Sequence, residues 1–291
     1  MKNNQIHIRD PFVLVHDGRY YLYGTRGATC WGKASGFDVY VGDDLENWDG
    51  PYPCFENDGS FWADREYWAP EVHTWRGAFY MLASFHSADR RRGTAILRAE
   101  TPMGPFVPHS DGCVTPPEWE CLDGTLCISR EGKPYMVFCH EWVQVGDGEI
   151  LAMPLTDDLR AAAGRPRLLF RASQAAWSKE ISHRDGTRGR VTDGPFFWRT
   201  QDGTLLCLWS SISEEGYTQA VAVSSNGDID GTFTQAEPLF WKDGGHGMIF
   251  RALDQQLYLT LHSPNETPGE RPHFYRMEEC GGKLIQRRTE S

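Results

Sequence analysis

The chain has 291 residues, 40% hydrophobic and 13% aromatic, enough to bury the core of one large all-β domain. Its formal charge of −11 speaks against nucleic acid or an anionic membrane as partner, because both repel an acidic surface. No window reaches the length of a membrane span, and eight cysteines without a Cys-x-x-Cys pair read as thiols of a reducing compartment.

The first eight residues lack the apolar run of a signal peptide, so the expectation is a soluble cytoplasmic protein. From Asp10 onward one pattern recurs five times: a polar turn, an apolar strand, a tight turn and an aromatic-rich strand. The copies are residues 10–25, 69–84, 123–138, 193–210 and 245–262. A third apolar segment follows each, at 37–41, 94–98, 149–153, 219–223 and 273–277, and short fourth segments follow several, as at 103–106 and 230–233. Cys127, Cys139 and Cys207 fall inside these apolar strands, where cysteine behaves as a small buried hydrophobe.

The repeat heads Asp10, Glu71, Asp123, Asp193 and His246 stand 52 to 70 residues apart, the length of a four-stranded blade with its loops. Strand alternation with almost no helical period predicts a single five-bladed β-propeller over residues 1–291. The longest interval holds the stretch that breaks the pattern, 156–190. There 159–163 predicts one helical turn and 182–190 an exposed loop.

Asp-Gly is a hairpin turn by default, and the chain has eleven such dipeptides. Asp123 and Asp193 depart from that default. Each is followed at strand length by a separate turn, Glu131-Gly132 and Asp202-Gly203, so each stands at the entrance of an innermost strand. In a propeller those entrances meet at one end of the axis. The prediction is that Asp10, Asp123 and Asp193 converge there with Glu71 and His246. Carboxylates brought together raise one another's pKa, and such a cluster suits paired acid–base work such as glycoside hydrolysis.

The aromatic content, 11 Trp, 11 Tyr and 15 Phe, suits a sugar, whose C–H faces pack on rings. Trp31, Trp68, Trp142 and Trp209 lie near strand ends on the same rim and join Glu71 and His246 as candidate substrate-binding residues. A structural Ca²⁺ on the axis, held by His246 through water, is the alternative use of the cluster. No His-Glu-x-x-His, EF-hand loop, Gly-x-Ser-x-Gly elbow or nucleotide loop is present, so the chemistry calls for no cofactor.

Arg9-Asp10-Pro11, Trp68-Ala-Pro-Glu-Val72, Asp123, Gly194-Pro195 and the Gly-His-Gly around His246 together resemble the five-bladed propellers of glycoside hydrolase family 43, over residues 9–262. The resemblance implies inverting hydrolysis of arabinofuranosides, β-xylosides and sometimes galactosides. It implies that Asp10 is the general base and that Asp123 orients and tunes the proton donor. Asp193, in Thr192-Asp-Gly-Pro195, takes the place of the donor itself, where the family's motif has Glu. Asp sets its proton about 1.5 Å further back, a displacement that can lower a rate about 100-fold. Three readings follow. Asp193 donates from a reshaped site, Glu141 at the end of a blade-three strand donates instead, or the protein binds sugar without cleaving it. The expected substrate is a short oligosaccharide cut from its end by an α-L-arabinofuranosidase or β-xylosidase.

Overall fold

The computed structural model describes residues 1–183 and 185–287. Five antiparallel sheets follow one another along the chain, each built from four consecutive strands in simple up-and-down order. Blade 1 comprises Ile8–His16, Arg19–Arg26, Gly36–Gly42 and Asp49–Glu56. Blade 2 comprises Arg65–Trp75, Ala78–His86, Gly93–Ala99 and Val107–Cys113. Blade 3 comprises Cys121–Ile128, Pro134–His140, Glu149–Pro154 and Arg167–Arg171. Blade 4 comprises Asp193–Arg199, Leu205–Ser213, Gly216–Ser224 and Phe233–Gln235. Blade 5 comprises Gly245–Arg251, Leu257–Ser263, Arg271–Cys280 and Lys283–Gln286. The first strand of each blade packs against that of the next, and the fifth packs back on the first. The ring closes as a five-bladed β-propeller.

The core lies between the blades, because every sheet has two faces to cover and finds a neighbour on each side. Phe37 and Phe55 of blade 1 meet Tyr67 and Phe85 of blade 2 with ring centroids 5.9–6.1 Å apart. Phe170 of blade 3 meets Trp209 of blade 4 at 5.3 Å, and Trp48 of blade 1 stacks on Phe274 of blade 5 at 6.0 Å. That last seam is stapled by the N-terminus. Asn3 accepts the Trp48 indole N–H at 2.6 Å, and the carbonyl of Asn4 accepts Arg271 Nε at 2.8 Å. All eight cysteines are free thiols.

The expected helical turn at 159–163 does not form. Leu159 is fully buried in a left-handed conformation (φ 60°), and Ala162 bridges back to Leu155, so the segment is a tight polar loop pinned by one apolar side chain. Ser182, His183, Asp185, Gly186 and Arg188 are exposed as expected, whereas Thr187 and Arg190 are half-buried and Gly189 is buried; Arg184 lies outside the described residues. Ile181–Ser182 and Arg188–Gly189 pair as a two-stranded ribbon. A single helical turn, Trp142–Val145, sits under it.

One local device repeats in all five innermost strands. Each has a bulge at its entrance, where the register with the second strand slips by a residue. The first bulged residue is left-handed in every blade: Asp10 (φ 53°), Ala69 (47°), Asp123 (57°), Gly194 (49°) and His246 (52°). The bulge turns successive residues toward the axis, and it corrects the sequence alignment of the blades. Asp10, Asp123 and His246 are equivalent, whereas Asp193 stands one residue before the bulge and Glu71 two residues after its start. In blade 4 the position needs glycine twice over. Its φ is left-handed, and a Cβ on Gly194 would lie 2.7 Å from the His246 ring.

Candidate active site

The bulges bring Asp10, Asp123, Asp193 and His246 to the floor of a cleft of about 740 Å³ at one end of the axis. A second cavity of about 450 Å³, beside Trp177 and Trp241 at the outer part of blade 4, holds none of these groups.

Asp10 is 8% exposed and surrounded by donors. Its Oδ2 accepts the Thr25 hydroxyl at 2.5 Å, and its Oδ1 lies 3.2 Å from His246 Nδ1. Its backbone N–H donates to His262 Nδ1 at 3.1 Å, so the His262 proton sits on Nε2, facing Asn265 Oδ1 at 3.2 Å. Asn265 Oδ1 also takes Arg9 Nη2 at 2.8 Å. Burial works to raise the pKa of Asp10, but the His246 ring, the Arg9 guanidinium and the Thr25 hydroxyl hold it below its usual value. Burial and the Arg9 charge push His262 down to about 4, which keeps it neutral.

Asp123 and Asp193 face the opposite balance. Asp123 Oδ2 accepts the Gly194 N–H at 3.0 Å and lies 3.7 Å from His246 Nδ1. Asp193 Oδ2 accepts the Tyr217 hydroxyl at 2.9 Å. Burial and the charge of Asp10 push Asp123 up to about 8. Burial and the charge of Asp123 push Asp193 well above the carboxylate range. The two carboxyl groups are coupled and hold protons as a pair. The floor thus presents one ionised carboxylate and a protonated pair at neutral pH, which is the division of labour that acid–base catalysis needs.

This has a consequence for stability. The folded protein holds a proton on Asp123 up to about pH 8, whereas the unfolded chain gives it up near pH 4. Stability from this group is therefore complete below pH 4 and is lost as pH rises toward 8. Asp123→Asn removes that loss. The variant is expected to melt several degrees above the parent at pH 8, with the margin vanishing near pH 4, in calorimetric scans at both values.

One wall of the cleft is a ladder of rings and cations. The Arg9 guanidinium lies 5.2 Å from the Trp31 ring, Trp31 meets Trp68 edge-on at 5.5 Å, and Arg92 sits 4.0 Å over Trp68. Trp31 is 63% exposed and its indole N–H donates to Thr267 Oγ1 at 3.0 Å, tying blade 1 to the loop over blade 5. Trp142, on its helical turn, lines the blade-3 side. Glu141 lines the cleft as well, but its Oε2 is bound to Arg92 Nη1 at 2.6 Å. Burial raises its pKa while Arg92 opposes that, and the ion pair makes it a support for the Trp68 wall rather than a free acid.

Two expected site residues lie elsewhere. Trp209 is fully buried between blades 3 and 4 and gives its indole N–H to Gln235 Oε1 at 3.0 Å. Strand alternation is the reason: its neighbour Ser210 faces the ring of bulges, so Trp209 faces the core. Glu71 is buried off the cleft, its Oε2 accepting Thr125 Oγ1 at 2.5 Å and lying 2.9 Å from His73 Nε2. A Ca²⁺ takes six to eight oxygen ligands, and among the described residues no group of three His, Cys, Asp or Glu is arranged to hold an ion.

A propeller whose axial cleft holds an ionised carboxylate opposite a protonated acid pair, under a wall of indoles, has the makings of a glycoside hydrolase. Residues 4–279 match the family described as Glycosyl hydrolases family 43, and the chain belongs to that family. It is similar to the endo-arabinase from Bacteroides thetaiotaomicron VPI-5482, at 38% identity and a TM-score of 0.91 over 97% of this chain and 98% of that one. It is 22% identical over 265 residues, 85% of this chain and 72% of the relative, to the extracellular exo-alpha-(1->5)-L-arabinofuranosidase ArbA of Cellvibrio japonicus (strain Ueda107). An endo-1,4-beta-xylanase structure from Bacteroides thetaiotaomicron VPI-5482, at 23% identity and a TM-score of 0.80 over 99% of this chain and 96% of that one, shares the fold.

Proposed function

We propose that this glycoside hydrolase cleaves α-L-arabinofuranosidic bonds in short oligosaccharides, from the chain end and with inversion. The observation that carries the reading is the split at the cleft floor, with Asp10 held ionised and Asp123 and Asp193 held protonated. Asp10 takes a proton from water as the water oxygen bonds to the anomeric carbon. The bond from that carbon to the leaving oxygen breaks, and Asp193 gives its proton to that oxygen. Burial of Asp193 first, and the neighbouring Asp123 carboxyl second, keep Asp193 protonated until it is needed. The relatives named for arabinan chemistry support the sugar, and β-xylosides are the next candidates. The curated relative is named as extracellular, so the short N-terminus alone gives no support for a cytoplasmic setting.

Tyr217 completes the account of the donor. Its hydroxyl bond favours the ionised form of Asp193, so Tyr217→Phe is expected to raise the basic limb of the kcat/KM profile. It also frees the Asp193 side chain, and kcat is expected to fall about 10- to 100-fold. A pH–rate series on the variant measures both.

Chain-end action is tested by separating the products of α-1,5-arabino-oligosaccharides of increasing length. Arabinose alone at the earliest times supports the reading. A spread of shorter oligomers supports internal cleavage, the second reading, which the 38%-identical endo-arabinase favours. Bound oligosaccharide without any product contradicts both.

A further inference from the structure

The five bulges are joined by a ring of hydrogen bonds, and one link of that ring differs. In each blade the residue opposite the last position before the bulge is Thr25, Ser84, Cys139, Ser210 or His262. Four of these accept the backbone N–H of the next blade's left-handed residue. Ala69 N–H goes to Thr25 Oγ1, Asp123 N–H to Ser84 Oγ and His246 N–H to Ser210 Oγ, each at 2.8 Å. Asp10 N–H goes to His262 Nδ1 at 3.1 Å. At the remaining link Cys139 offers only a buried thiol, a weak acceptor that burial keeps protonated. The Gly194 N–H passes it by and donates to Asp123 Oδ2 at 3.0 Å.

The exception falls between the two blades that carry the acid pair. Asp193 immediately precedes Gly194, so a bond from Gly194 to Asp123 fixes the backbone of one acid to the side chain of the other. We infer that Cys139 is a positioning residue, whose sulfur leaves the Gly194 N–H to Asp123 and so holds the Asp193 carboxyl beside that of Asp123. The inference rests on the reading of Asp193 as proton donor. It also gives a reason why a shorter Asp serves in that place: its backbone is tethered to its partner acid.

Cys139→Ser is the test, because serine at this position accepts the next blade's N–H in blades 2 and 4. In the variant the Gly194 N–H is expected to turn to the new hydroxyl, loosening Asp193 from Asp123. The weaker like-charge contact lowers the pKa of the donor. The basic limb of kcat/KM is then expected to move down by about one pH unit and kcat to fall about 10-fold, with KM little changed. Cys139→Ala offers no acceptor and is expected to keep the limb in place and lose less than about threefold in kcat. Serine and alanine variants with the same limb and the same kcat would overturn the inference, as would a serine variant that does not fold. If Asp193 is not the donor, that shows separately, as full turnover of unactivated substrates by Asp193→Asn.

Discussion

Asp193→Asn is expected to lower kcat on oligosaccharides about 10³-fold while leaving the fold and substrate binding in place. The amide fills the same volume and still accepts the Tyr217 hydroxyl, but it has no proton to give. The loss depends on the leaving group. An alkoxide leaving an oligosaccharide needs that proton, whereas a dinitrophenolate leaves without it. On a dinitrophenyl glycoside the loss is therefore expected to shrink to about 10-fold or less. Equal losses on the two substrates would place Asp193 in binding rather than proton transfer. Unchanged turnover on oligosaccharides would return the donor's role to another acid, of which Glu141 is the nearest candidate, and Arg92→Ala would then be the variant to examine.

Asp10→Asn is expected to cost about 10³- to 10⁴-fold in kcat, and here the leaving group makes no difference, because water attack fails with every substrate. Asp10 is the ionised partner of the floor, below its usual pKa, so its loss also removes the acid limb of the pH profile. The neighbours argue that the variant stays folded. Thr25, His246 and the Asp10 backbone N–H keep their partners with an amide in place of the carboxylate. An intact acid limb in whatever activity remains would assign the base to another group.

The blades were legible in the sequence because a half-buried strand has a period of two and a tight polar turn ends it, as Asp17-Gly18, Arg76-Gly77, Glu131-Gly132, Asp202-Gly203 and Asp254-Gln255 do in the five copies. The cluster was legible in outline for the same reason, since equivalent heads must converge. What the repeat hid was the bulge, one residue long and without a composition of its own. Aligning the heads on their acids placed Asp193 and Glu71 with Asp10, whereas the fold places Gly194 and Ala69 there. That single slip carries Glu71 off the cleft. Trp209 and Ser210 differ by one position, and strand parity sends the indole to the core.

Tyr217 and His262 were not singled out, although a trace of the second was visible. His262 closes the fifth copy as Thr25, Ser84 and Ser210 close theirs, but the partner of that residue lies on the next blade, and contacts between blades leave no local pattern. Trp31 was found because it lies near a strand end on the rim of the repeats, while its tie to Thr267 joins residues 236 apart and has no signal in either loop.

The division of the cleft floor into a base and a proton donor, on opposite sides of the bond that breaks, is tested most directly by following the first minutes of hydrolysis of α-1,5-arabinobiose by proton NMR. The account predicts that free arabinose is released first as the anomer opposite to that of the bond cleaved, with the other anomer growing in later by mutarotation. Release of the retained anomer first would contradict it, since it would require a carboxylate at the anomeric carbon in place of water.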